Sequence, residues 1–242
     1  NRNEILLVHS SLSSLGWVCG GAQAVITALM NAISAEGTLV MPAHSGDWSD
    51  PAEWACPPVP KEWLQTIYDS MPPYEPEITS TRGMGRIAEL FRTFPGTVRS
   101  NHPQVSFCAN GKDAKQIIED HPLTPQFGIV SPLGKLYHAK SRVLLLGVGY
   151  DSCTSFHLAE AQIDEMPVKR MGTALSENGV RVWKWFDDFE YDPDDFELIG
   201  KEFEENHIVH TGKVGNAECK LFDMREGVDF AKAWLLKNRF GK

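Results

Sequence analysis

Three short apolar runs constrain this chain more than any other feature: Ile5–Val8, Thr38–Met41 and Val143–Val148. Each is far too short to cross a bilayer. Each has the length and continuity of a strand buried in a sheet. Between the first two lies Ala22–Ile33, where Val25, Ile26, Leu29, Met30 and Ile33 recur at helical spacing. Gly20-Gly21 opens that segment and Gly37 ends it. Strand, helix and strand in this order predict a βαβ unit, and so an α/β fold. From Val168 onward the pattern changes. Val180, Val182, Trp183 and Trp185 alternate loosely, which predicts a smaller, antiparallel β-rich C-terminal part. Phe230–Leu236 reads as a last helix.

At 242 residues the chain suits one large α/β unit or two compact lobes, 1–165 and 166–242. With 42% hydrophobic residues it can bury a core without disulfide staples. Its five cysteines are odd in number and form no C-x-x-C, so a reduced, cytoplasmic protein is expected. There is no signal-peptide pattern. The chain opens almost on its first strand, which predicts residues upstream. Residues 51–76 hold seven of the fifteen prolines and read as a long excursion around one helix, Glu62–Ser70. Further helices are expected at Arg86–Phe94 and Asp113–Asp120, with an extended segment between them.

The net charge of −9 is local. Residues 187–205 carry ten acids and one base, leaving 22 of each sign elsewhere. Such a balance argues against nucleic acid as a partner, because phosphate demands Lys and Arg. It accommodates a cationic partner, although a solvated acidic face is the plainer reading of such a run. His207 and His210 read as surface residues of the loop behind it.

Three constellations could carry chemistry. In the first, Val143–Val148 delivers Gly147 and Gly149, then Asp151, Thr154, His157 and Glu160. In α/β folds ligands gather at the carboxyl ends of strands. Thr154 can cap the following helix, and i, i+3 spacing puts His157 and Glu160 on one face. A carboxylate beside an imidazole orients it and raises its proton affinity, as a general base requires. Asp151 is a second candidate orienter. The competing reading is a surface His–Glu pair. The second constellation is the strand exit His9-Ser10-Ser11-Leu12 with Gly16, whose N–H groups and hydroxyls suit phosphate. The alternative is an ordinary turn. The third joins Arg82-Gly83-Met84-Gly85 with Ser100 and His102, a candidate phosphate clamp that could equally be a helix start among surface arginines. Cys153 could form an acyl-enzyme, although an inert buried thiol is commoner. No histidine spacing suggests a metal site.

These pieces, in order, resemble the aminoglycoside 3-N-acetyltransferase family. They are L-L-V-H-S-S-L-S-S-L-G from Leu6, G-T-L-V-M-P from Gly37, R-G-M-G-R from Arg82, R-S-N-H-P-Q-V-S-F from Arg99, S-P-L-G-K-L from Ser131, D-S-C-T-S-F-H-L-A-E from Asp151 and G-K-V-G-N-A from Gly212. The resemblance covers nearly the whole chain. It implies a mixed central sheet flanked by helices, with the first lobe binding coenzyme A and the second the acceptor. It implies acetyl-CoA as donor, no metal, and a cationic aminoglycoside amine as acceptor. It implies His157 as base with Glu160 as its partner, Thr154 near the thioester, and His9 to Leu12 against coenzyme A. Asp187, Asp188, Glu190 and Asp47 become candidate contacts for the cationic acceptor. The chain is expected to act as a monomer or homodimer, away from membranes. Two departures stand out: the family's helical lead-in is missing, and Met41-Pro42-Ala43-His44-Ser45 replaces a Thr/Phe-rich stretch.

Overall fold

The structure, a computed structural model, describes residues 4–242. The described strands are β1 (Ile5–Ser10), β2 (Thr38–Pro42), β3 (Val98–Arg99), β4 (Phe107–Gly111), β5 (Arg142–Leu146), β6 (Val168–Glu177), β7 (Val180–Phe189), β8 (His210–Val214) and β9 (Ala217–Asp223). The α-helices are α1 (Gly21–Ile33), α2 (Leu64–Ser70), α3 (Gly85–Arg92), α4 (Ala114–Ile118), α5 (Pro132–His138), α6 (His157–Glu160), α7 (Phe196–Asn206) and α8 (Met224–Asn238). Seven strands form the central sheet in the order β3-β4-β2-β1-β5-β9-β8, while β6 and β7 form a separate antiparallel hairpin.

The three apolar runs lie side by side. β1 is parallel to β2 on one side and to β5 on the other. Outside them β4 and β9 run antiparallel to their inner neighbours, which makes the sheet mixed. Both faces of the parallel strands are covered, as the unbroken apolar runs require. Leu7, Val40, Val143 and Leu145 point into one core with Leu136 of α5, Leu158 of α6, Phe203 of α7 and Val228 of α8. Their alternates Leu6, Val8, Leu39, Met41 and Leu146 point into a second core with Ile26 of α1 and Phe91 of α3.

The excursion 51–76 packs on the hairpin. The Tyr68 ring lies 4.9 Å from that of Trp183, and Tyr74 N–H donates to the Ala174 carbonyl at 3.1 Å. Its helix is a 3₁₀ turn, Lys61–Trp63, running into α2.

Several local expectations need correction. The helix expected behind β5 is instead two 3₁₀ turns, Tyr150–Ser152 and Thr154–Phe156, followed by the single turn α6. Thr154 is not a cap there: Cys153 takes the N-cap position of its turn and Phe156 that of α6. The acidic run contains α7, whose buried Phe196, Ile199, Gly200 and Phe203 recur at helical spacing beneath the charges. His207 is no loop residue in solvent: its ring stacks on Phe203 at 4.5 Å, whereas His210 is exposed on β8. The last helix starts at Met224, where the Asp223 carboxylate accepts from the N–H groups of Arg225 and Glu226. No described helix is long and apolar enough to cross a membrane.

Candidate active site

The parallel strands β2, β1 and β5 end on the same edge of the sheet, where a cleft of about 740 Å³ opens. The exit of β1 contributes His9 to Ser13 and Gly16. The loop after β2 contributes His44, and the start of α3 contributes Gly83 to Arg86. The exit of β5 contributes Asp151, Thr154 and His157. Segments scattered over 150 residues of sequence thus share one cavity because three adjacent strands point the same way.

The turns at this edge are tightly keyed. Ser11 N–H donates to the Leu146 carbonyl and Gly147 N–H to that of Glu218, both at 3.0 Å. Gly147 has φ +72°, and a Cβ there would stand 2.9 Å from those of Ala217 and Ser14. Only glycine fits. Arg82 N–H donates to the His44 carbonyl at 2.8 Å, which seats the Gly83–Gly85 wall.

His157 lines the cleft. Its Nδ1–H donates to Glu160 Oε2 at 2.6 Å. The ring is stacked on Phe127 at 4.8 Å and 14°, and meets Tyr191 and Phe196 at 5.5 and 4.8 Å. These contacts fix the ring plane and leave Nε2 as the nitrogen available to a ligand. Glu160 has no exposed surface. Its second oxygen accepts from Arg239 Nη1 at 2.7 Å and Asp192 N–H at 3.2 Å. Arg239 lies 79 residues away in a segment without a motif, and the order of residues gives no hint of this contact.

Two more imidazoles face the same space. His9 closes β1 and His44 follows β2, and each has a buried Nε2 without a protein partner. Burial, with the nearby His157 adding to it, pushes both down to about 3, so both are neutral hydrogen-bonding groups. Buried polar atoms rarely go unpaired in the working state of a protein. Here they supply donors or acceptors to whatever fills the cleft. With Ser10, Ser11 and the glycine wall, they give the cleft a polar lining on this side.

The remaining sequence candidates lie elsewhere. Ser100 and His102 are wholly buried. The Ser100 hydroxyl accepts from Phe107 N–H and bonds His121 Nδ1, while His102 Nδ1 accepts from the N–H groups of Gln104 and Val105. They shape the loop between β3 and β4. Arg82 pairs with Asp47 at 2.9 Å over a side cavity of about 520 Å³. Asp188 is buried and accepts from Gln126 N–H and the Thr124 hydroxyl; burial raises its pKa. Asp187 is exposed beside Arg170, and Glu190 N–H caps the Pro167 carbonyl. Cys153 is buried, and burial pushes its thiol up to about 12, which argues against a thiolate nucleophile. Among the described residues, no group of three or more His, Cys, Asp or Glu is placed to hold a metal ion.

Known proteins share this architecture and sequence. The chain is 50% identical over 238 residues to YokD of Bacillus subtilis, described as an SPbeta prophage-derived aminoglycoside N(3')-acetyltransferase-like protein, covering 98% of this chain and 88% of that one. It is 35% identical to aminoglycoside N(3)-acetyltransferase VIII of Streptomyces fradiae, over 98% and 87% of the two chains. The crystal structure of YokD superposes with a TM-score of 0.97 at 48% identity, covering 100% and 90%. AAC-IIIb in its binary complex with CoASH superposes at 0.85 and 30% identity, covering 98% and 91%. The sequence model of the family described as aminoglycoside 3-N-acetyltransferase matches residues 7–236, and the chain belongs to that family.

Proposed function

We propose that this protein transfers the acetyl group of acetyl-CoA to an amine, with His157 as general base and an aminoglycoside, acetylated on the 3-amino group of its 2-deoxystreptamine ring, as the first acceptor to test. One observation carries the reading: an imidazole fixed by a buried carboxylate on Nδ1 lies in the wall of a large cleft. An amine must lose a proton to attack a thioester at neutral pH, and a carboxylate-braced imidazole takes it. The amine nitrogen bonds to the acetyl carbon, the C–S bond breaks, and the proton passes by way of His157 to water or the departing sulfur. The Thr154 hydroxyl lines the same cleft and can donate to the carbonyl oxygen, where negative charge develops. Asp151, also in the wall, can hold the ammonium form of the incoming amine. His9 to Leu12, Gly16 and Gly83 would receive the donor. The relative with CoASH bound, of matching fold, supports that assignment.

Several carboxylates of the acidic run are engaged elsewhere: Asp195 on Arg239, Glu204 on Lys220, Asp187 on Arg170. This favours, as a second reading, the same transfer onto a less charged amine. The test is mass spectrometry of acetyl-CoA and protein incubated with a gentamicin-type antibiotic and with a panel of simpler amines. A gain of one acetyl on the deoxystreptamine ring is expected; thiol release without any acceptor would instead mark a thioester hydrolase. His157→Ala should lower turnover by roughly 10²–10⁴-fold while coenzyme A still binds. Wild-type turnover in that variant would remove the base assignment.

A further inference from the structure

The imidazole–carboxylate pair is the visible end of a longer array. Glu160 is fully buried with both oxygens occupied, one by His157 and one by Arg239 and Asp192 N–H. Arg239 follows α8 and is itself gripped by Asp195, whose Oδ2 accepts from Nε at 3.0 Å and Nη2 at 2.8 Å. The Asp192 carbonyl accepts from Nη2 at 3.1 Å. The guanidinium side chain is only 18% exposed. A planar fork held this way has little freedom to turn. A carboxylate without solvent needs a permanent countercharge to stay an anion. Histidine cannot be that countercharge, because its proton comes and goes in each turnover.

We propose that Arg239 is a positioning residue for the base: it clamps the Glu160 carboxylate on the oxygen away from His157, and it supplies the fixed positive charge beside the His157–Glu160 pair. This rests on the reading of His157 as base. The clamp fixes the carboxylate, the carboxylate fixes Nδ1–H, and so Nε2 meets the amine in one orientation. The charge acts on the coupled pair, whose proton uptake belongs to both groups together. Other groups also face His157: His9 from β1, His44 from the loop after β2, Tyr191 from the segment after β7, and Asp151 and Arg86 in the cleft wall. Asp192 and Asp195 face Arg239. All of these are the same in wild type and in Arg239 variants.

The test follows the His157 imidazole by NMR through a pH titration, alongside the pH profile of kcat, in wild type, Arg239→Met and Arg239→Lys. In Arg239→Met the titration midpoint and the acid limb of kcat should both move up, by roughly one pH unit. Its kcat at the optimum should fall about 10- to 100-fold, the scale of a slight misplacement. Affinity for coenzyme A, by calorimetry, should stay within about threefold, since the clamp lies behind the cleft wall. Arg239→Lys keeps the charge without the fork, so the midpoint should return toward wild type while kcat stays low. An unmoved midpoint in Arg239→Met overturns the proposal whatever the rate does. If that variant does not fold, wild-type kcat in Arg239→Lys overturns it. Loss of activity in His157→Ala with an unmoved Arg239→Met midpoint defeats this inference alone, whereas wild-type activity in His157→Ala defeats the base reading beneath it.

Discussion

At the residue scale the site gathers several hydrogen-bonding groups around one cavity. Three histidines share one cavity, and only His157 has a carboxylate on its ring. His9 and His44 are held neutral by burial. A further ionisable candidate, Cys153, is buried beside the Ser155 hydroxyl at 3.1 Å. A thiol kept protonated is no nucleophile. Cys153→Ala should therefore retain kcat within about threefold, and rapid-quench experiments with radiolabelled acetyl-CoA should trap no acetyl-protein. A labelled protein lost in the alanine variant would reinstate an acyl-enzyme. The H-x-x-E spacing was legible because i, i+3 geometry survives even in a single helical turn. His44 was visible only as a departure from a family pattern. Phe127, Tyr191 and Arg239 were not legible, since packing brings them to the imidazole from distant turns that carry no periodic signal of their own.

At the scale of elements, the parallel strands were readable because both of their faces are buried and their apolar runs are unbroken. The hairpin β6–β7 was readable by its alternation. α7 was not: its ten neighbouring acids outweighed four buried residues in the eye, although Phe196, Ile199, Gly200 and Phe203 are the true record of the helix. Gly200 shows how closely α7 is fitted. A Cβ there would fall 1.9 Å from Cγ of Tyr150, in the turn that leads to the site. Gly200→Ala should destabilise the protein by about 1–3 kcal/mol through overpacking, read as a lower urea midpoint at unchanged slope. A stabilised variant, as expected from helix propensity alone, would show that the turn can yield.

At the scale of the whole molecule, the buried histidines make acid the natural denaturant. His9 and His44 are lowered to about 3 and His121 to about 4, chiefly by burial, and His102 well below its ordinary value. The unfolded chain binds protons on the same groups near 6.5, so it gains protons first as the pH falls. Their stabilisation is complete above about pH 6.5 and is lost progressively as pH drops toward the folded values near 3 to 4. Tm should hold between about pH 7 and 8 and then decline steadily toward about pH 4.5, where calorimetry can follow it. A flat Tm down to about pH 4.5 would mean that these rings gain solvent at little cost.

The sheet edge has a mechanical consequence. One wall of the cleft, formed by the turn after β1 and the start of α3, is rooted in the packing on one side of the sheet; the other, carrying His157, is rooted in the packing on the opposite side. To widen the gap, the strands between those two roots would have to bend, and strands wedged between dense interiors resist bending. The opening is thus a slot of set width, not a jaw. On the proposed reading, the breadth of an incoming amine counts before its charge is weighed.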